Sequence, residues 1–158
     1  MDGPWNVSFQ PNRGAPKKAI FNQLVSYTEN KDDNIKYFSG TASYEKAINI
    51  PAGNLRKSFQ IWIDFGDVKN LAEVIVNGKS LGIIWKKPFR VDVTKVLISG
   101  DNEVLVRVTN LWVNRLVGDA QPGITNKITY TTIPFYSANS PLLPSGLLGP
   151  VRIIALVK

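Results

Sequence analysis

Asn77-Gly78 stands between two apolar runs, residues 72–76 (Ala-Glu-Val-Ile-Val) and 81–85 (Leu-Gly-Ile-Ile-Trp). An Asn-Gly step favours the positive φ angles of the tight turn whose twist matches that of two paired strands. The spacing predicts a β-hairpin, with Lys79 and Ser80 available as two further loop residues. The flanking sequence keeps the same two-residue period. Phe59, Ile61, Ile63 and Phe65 fall on one face of a strand, and Gln60, Trp62 and Asp64 on the other. Val104, Val106 and Val108 form the inward row of another strand.

Further strands are predicted over residues 5–9, 37–46 and 89–93. Residues 151–157 are apolar on both faces, which predicts a central, covered strand. Turn residues separate these segments at Pro51 to Gly53, Gly66-Asp67 and Gly100 to Asn102. Residues 10–34 are polar and rich in loop formers, with a short helical turn or an irregular link over 22–27. No amphipathic helix stands out. Short strands with turn residues between them point to an all-β sandwich or barrel. The length of 158 residues, 44% of them apolar, fits one globular domain.

Residues 110–150 break the rhythm. They carry Pro122, Pro134, Pro141, Pro144 and Pro150, with one candidate strand at 128–132. Structureless loops longer than about 12–15 residues are uncommon in compact domains and are often functional. This one is rich in aromatic and amide side chains, so it is the first place to look for a site.

The chain has no cysteine and no histidine. Disulfides, thiol nucleophiles, Ser-His-Asp triads and histidine-bearing zinc sites are therefore excluded within it. The net charge of +7 is spread along the chain, with adjacent pairs such as Lys17-Lys18 and Lys86-Lys87. No basic–aromatic alternation accompanies it, so a basic soluble domain is favoured over a nucleic-acid surface. No apolar run reaches the ~18 residues of a membrane span.

Seven residues are candidates for ligand contact. Trp62 lies on the polar strand face beside Gln60 and Asp64, where an indole could stack on a sugar ring or be covered by the long loop. Trp85 precedes Lys86, Lys87 and Pro88, and could cap one end of the sandwich or offer a platform. Asn110, Trp112, Asn114, Arg115 and Asp119 form the densest polar–aromatic cluster. Arg115 and Asp119 could hold sugar hydroxyls beside Trp112, or Arg115 could pair with Asp119 or Glu73 and pin the long loop. Asp64, Asp67, Glu73 and Asp92 show no spacing that marks a catalytic pair, and Asp32-Asp33-Asn34 reads as a solvated turn.

The run from Asp64-Phe-Gly-Asp-Val68 through Ala72-Glu-Val-Ile-Val-Asn-Gly78, Leu81-Gly82, Trp85, Pro88-Phe89 and Asp92-Val-Thr94 resembles the sugar-binding-type jelly roll of glycoside hydrolase family 2. The block Asn110-Leu-Trp-Val-Asn-Arg-Leu116 and the closing Leu143-Pro-Ser-Gly-Leu-Leu-Gly-Pro-Val-Arg152 are similar to the C-terminal β-sandwich of family 106 α-L-rhamnosidases. The resemblance covers residues 35–158, and residues 1–34 add an N-terminal strand and an irregular segment. It implies a galactose-binding-domain-like jelly roll and a non-catalytic accessory domain excised from a larger enzyme. Its implied partners are carbohydrate, the catalytic domain of the same polypeptide, or both.

A purely structural interdomain scaffold is the alternative, and a nucleic-acid-binding β domain a more distant one. The start of the chain lacks the basic and apolar regions of a signal peptide. Met1 reads as an added start residue. A periplasmic or extracellular location, with the export signal outside these residues, follows from the resemblance alone. No cofactor and no metal is expected, although domains of this type allow one structural calcium.

Overall fold

The computed structural model describes residues 1–157. Strands β1 (Trp5–Phe9), β2 (Lys18–Phe21), β3 (Thr41–Ile50), β4 (Phe59–Asp64), β5 (Asp67–Lys69), β6 (Leu71–Val76), β7 (Lys79–Ile84), β8 (Arg90–Asp92), β9 (Gly100–Thr109), β10 (Gly146–Gly149) and β11 (Arg152–Val157) are joined by two short helices, α1 (Asp33–Lys36) and α2 (Val113–Asp119). An antiparallel six-stranded sheet runs β2-β1-β3-β9-β6-β7. The opposite layer consists of a three-stranded sheet, β11-β4-β8, and the pair β10-β5. Val74 and Val76, Val104, Val106 and Val108 from the large sheet share one core with Ile61, Ile63, Val91 and Leu147 from the opposite layer. The expected all-β sandwich is the fold found.

The hairpin closes on two residues. Asn77 (φ 50°) and Gly78 (φ 75°) are both left-handed, and Val76 pairs directly with Lys79. Lys79 and Ser80 are thus strand residues, since a two-residue turn of this kind matches the strand twist. Asn77 also ties the hairpin to β9. Its Nδ2 donates to Val96 O and Asn102 Oδ1, and its Oδ1 accepts from Glu103 N.

The N-terminal third holds more structure than its polarity suggested. Strand β2 pairs Phe21 with Trp5 along β1, inside the segment expected to be loop. A single 3-10 turn at Tyr27–Glu29 carries a Ser26–Glu29 capping box. Asp32 caps α1 by accepting from Asn34 N, so the expected solvated turn is a helix start. Ile35 and Phe38 turn into the core, and the strand expected at 37–46 begins only at Thr41. Edge-to-face contacts of Phe9 with Tyr27 (5.8 Å) and Phe38 (4.9 Å), and of Phe21 with Tyr44 (6.0 Å), hold this segment on the sheet. Each such pair adds about 0.5–1.5 kcal/mol beyond area burial.

Three other expectations are corrected. Strand β11 is not central but an edge strand, and most of its residues are exposed. Residues 128–132 form no strand, because the Ile128 and Thr129 N–H groups bond to a carboxylate instead of a neighbouring strand. A helix, α2, occupies residues where none was expected.

Candidate functional site

The long connection after β9 is built on side chains that act as backbone substitutes. Asn110 accepts from Gly40 N through Oδ1 (2.8 Å) and donates through Nδ2 to Phe38 O (2.8 Å) and the Ser145 hydroxyl. Asn114 makes a two-way pair with the Leu143 backbone, donating to its C=O and accepting from its N–H, both at 2.8 Å. The Ser39 hydroxyl donates to Leu111 O and accepts from Arg115 N, which fixes the start of α2. A buried amide that matches a peptide group satisfies donors and acceptors that no strand supplies.

Arg115 and Asp119, four residues apart on α2, form a buried ion pair at 3.0 Å with side-chain exposures of 8% and 5%. The contact is not aligned as a hydrogen bond, and Arg115 Nε and Asp119 Oδ1 have no aligned partner. The guanidinium lies near the Tyr37 ring, 6.0 Å from its centroid. At Gly118 a Cβ would come within 2.6 Å of both Arg115 Nη2 and Tyr37 Cβ, so only glycine lets the helix approach. The other oxygen, Asp119 Oδ2, accepts from Ile128 N, Thr129 N and the Thr129 hydroxyl at 3.0, 2.7 and 2.6 Å. Gln121 Nε2 adds a bond to Ala138 O. These contacts hold residues 127–136 as one shaped loop.

Between that loop and α2 lies a cavity of about 300 Å³, lined by Leu116, Asp119, Lys127, Thr129, Tyr130, Thr131, Phe135 and Tyr136 among others. Tyr130 and Phe135 stand at 87% and 83% exposure, and Phe135 meets Tyr136 edge-on at 5.3 Å. Aromatic walls beside threonine hydroxyls and a lysine suit a small polyhydroxylated ligand. Only one carboxylate lines the cavity, and its Oδ2 is already committed to three donors. The two opposed carboxyl groups that glycoside hydrolysis usually needs are not assembled there.

The structure thus brings together Asn110, Trp112, Asn114, Arg115 and Asp119, but sends their polar atoms inward. Trp112 is the exposed member at 52%, and the Arg13 guanidinium sits 4.8 Å from its ring centroid. Trp62 lies apart, half-buried on the outer face of the three-stranded sheet under Arg90 at 5.0 Å. Trp85 follows β7 and carries Lys86 at 5.4 Å. The carboxylates singled out in the sequence are all engaged: Asp64 with Gly66 N, Asp67 with Lys69, Glu73 with Ser80 and Arg107, and Asp92 with Thr94 and Gln60. Among the described residues no three acidic side chains converge as a metal site. Thr129, Tyr130 and Phe135 were missed as individuals, although the aromatic content of their loop was the signal.

The glycosyl hydrolases family 2 sugar binding domain matches residues 1–132. The chain belongs to this family. A rhamnosidase structure from Novosphingobium sp. PP1Y is 44% identical with a TM-score of 0.94, covering 99% of this chain and 15% of that one. A Formosa agariphila protein provisionally named a beta-glucuronidase is 37% identical, covering all of this chain and 16% of its own length. Bifidobacterium dentium beta-glucuronidase is similar at 25% identity and a TM-score of 0.58, over 69% of this chain and 19% of that one. The sugar-binding domain therefore spans a small part of the proteins it matches, as the resemblance implied. No helix among the described residues is long and apolar enough to cross a membrane.

Proposed function

We propose that this domain is a non-catalytic accessory part of an exported, α-L-rhamnosidase-like glycoside hydrolase, resting against the catalytic domain and contributing sugar contact from the 127–136 loop. The observation that carries this reading is the match of 99% of the chain to 15% of a rhamnosidase at 44% identity. The shaped cavity with exposed Tyr130 and Phe135, beside a carboxylate already engaged by the loop, supports contact rather than chemistry. Trp112 is the most accessible of the sequence candidates in the 110–119 cluster.

Titration of the chain with rhamnose, galactose and rhamnogalacturonan fragments, followed by tryptophan fluorescence, tests it. A saturable change that disappears in Trp112→Ala or Tyr130→Ala is the expected result. A scaffold without ligand is the second reading, favoured by the inward commitment of Asn110, Asn114 and Asp119. Silence towards every glycan would select that scaffold. Turnover of an aryl glycoside by the chain alone would overturn both.

A further inference from the structure

The edge of β11 is left open in a specific way. Ile61 O accepts from Val93 N, and Phe65 N donates to Phe89 O, so the odd-numbered residues of β4 turn their peptide groups towards β8. The even-numbered Gln60, Trp62 and Asp64 therefore face β11, where they pair with Leu156, Ile154 and Arg152. Antiparallel ladders alternate, so Ile153, Ala155 and Val157 aim N–H and C=O away from β4. Val151 precedes them on the same side, and its C=O already accepts from the Met1 ammonium at 2.6 Å. No other described residue takes up this row.

Beside the open edge lies a groove of about 440 Å³ lined by Ile50, Pro51, Phe59, Leu97, Ile153 and Ala155. It joins a second hollow through Phe59 and Leu97, where Arg56 and Lys57 form a basic rim. Val157, at that end, is 76% exposed. Natural sheets protect such an edge by bulges, prolines, inward charges or a covering segment. Within β11 none of the first three is present.

We infer that β11 accepts one further strand, an extended segment of the parent polypeptide outside these 158 residues. It bonds to Ile153, Ala155 and Val157 and sets alternate apolar side chains into the groove. This rests on the reading that the domain is part of a longer enzyme, whose matched relatives extend well beyond it. Main-chain bonds supply affinity and the groove supplies selectivity, as in other strand additions.

Amide hydrogen exchange on the chain alone and on the full-length parent tests the proposal. The Ile153, Ala155 and Val157 amides exchange freely in the isolated chain and are slowed by about tenfold or more in the parent. Ala155→Pro removes an N–H that the β4 ladder does not use. The isolated variant therefore keeps its melting temperature, while the parent loses protection at Ile153 and Val157. Ile154→Pro, whose N–H faces β4, destabilises both forms and shows that the assay detects ladder damage. Equal exchange in the two wild-type forms would overturn the proposal. So would an isolated chain that sediments as a dimer dissolved by Ala155→Pro, because the occupant would then be a second copy. Glycosidase activity of the parent is read separately. An active parent with an unprotected edge sinks only the strand, whereas an inactive parent with a protected edge sinks only the accessory reading.

Discussion

Asp119 reaches ten residues along the chain to Thr129, where its Oδ2 accepts both the N–H at 2.7 Å and the hydroxyl at 2.6 Å. One buried carboxylate thereby shapes the loop that walls the candidate cavity, while its other oxygen faces Arg115. Removing it leaves the Arg115 charge buried without its partner. Asp119→Ala is expected to cost about 3–5 kcal/mol in urea unfolding. Thr129→Val retains the ion pair and should cost about 1–2 kcal/mol. Proteolysis within residues 127–136 should accelerate in both. An unchanged midpoint for Asp119→Ala would refute the pinning role.

Two glycines should both resist replacement by alanine, one through crowding and the other through its backbone angle. Gly118 lies in α2, where alanine normally stabilises by about 1 kcal/mol. A Cβ there would meet Arg115 and Tyr37, so Gly118→Ala should lower the melting temperature. At Gly78 a Cβ meets nothing within 4 Å, and only its φ of +75° opposes a side chain. Gly78→Ala should cost about 1 kcal/mol. Thermal unfolding of the two variants side by side provides the check.

Alkaline pH should weaken the fold through its tyrosine pair. Tyr44 donates its hydroxyl to Tyr27 at 2.8 Å, and Leu147 N donates to Tyr44. Burial raises both phenols above the ordinary value of 10.0, Tyr27 further through its neighbour Tyr44. The folded state thus holds protons that the unfolded state releases. This contribution is intact below pH 10 and is lost as pH rises above it, at up to about 1.4 kcal/mol per pH unit for each phenol. Melting curves recorded between pH 8 and 11 should show the fall, and a Tyr27→Phe/Tyr44→Phe double variant should flatten it.

Tyr130 and Phe135 touch little of the domain itself. Tyr130→Ala and Phe135→Ala should shift unfolding by no more than about 0.5 kcal/mol. If the loop is the sugar contact, both should abolish the glycan-induced fluorescence change that wild type shows. Loss of stability instead would mark these side chains as part of the core.

The inner face of β4 and the valine row of β9 were legible because a two-residue period has only one way to sit on a half-buried sheet. Asn77-Gly78 was legible because few dipeptides tolerate two successive positive φ values. Strand β2 was hidden by its length of four residues and its mixed polarity. Helix α2 was hidden because five of its seven residues are buried, so it has no polar face to set against an apolar one. At the site, the aromatic loop and the 110–119 cluster could be read as important. The direction of each polar side chain could not, since Asn114 finds Leu143 and Asp119 finds Thr129 only after the loop has folded back.

From the residues alone came the layered β architecture, the lack of histidine and cysteine chemistry, and the hairpin with its turn. All of these depend on neighbours within a few positions or on composition. Which strand lies at an edge was decided in three dimensions: β11 is as apolar as a central strand, yet only β4 pairs with it. The same holds for Arg115 and Asp119, whose charges became internal supports rather than an exposed grip because the folded loop excluded water from them.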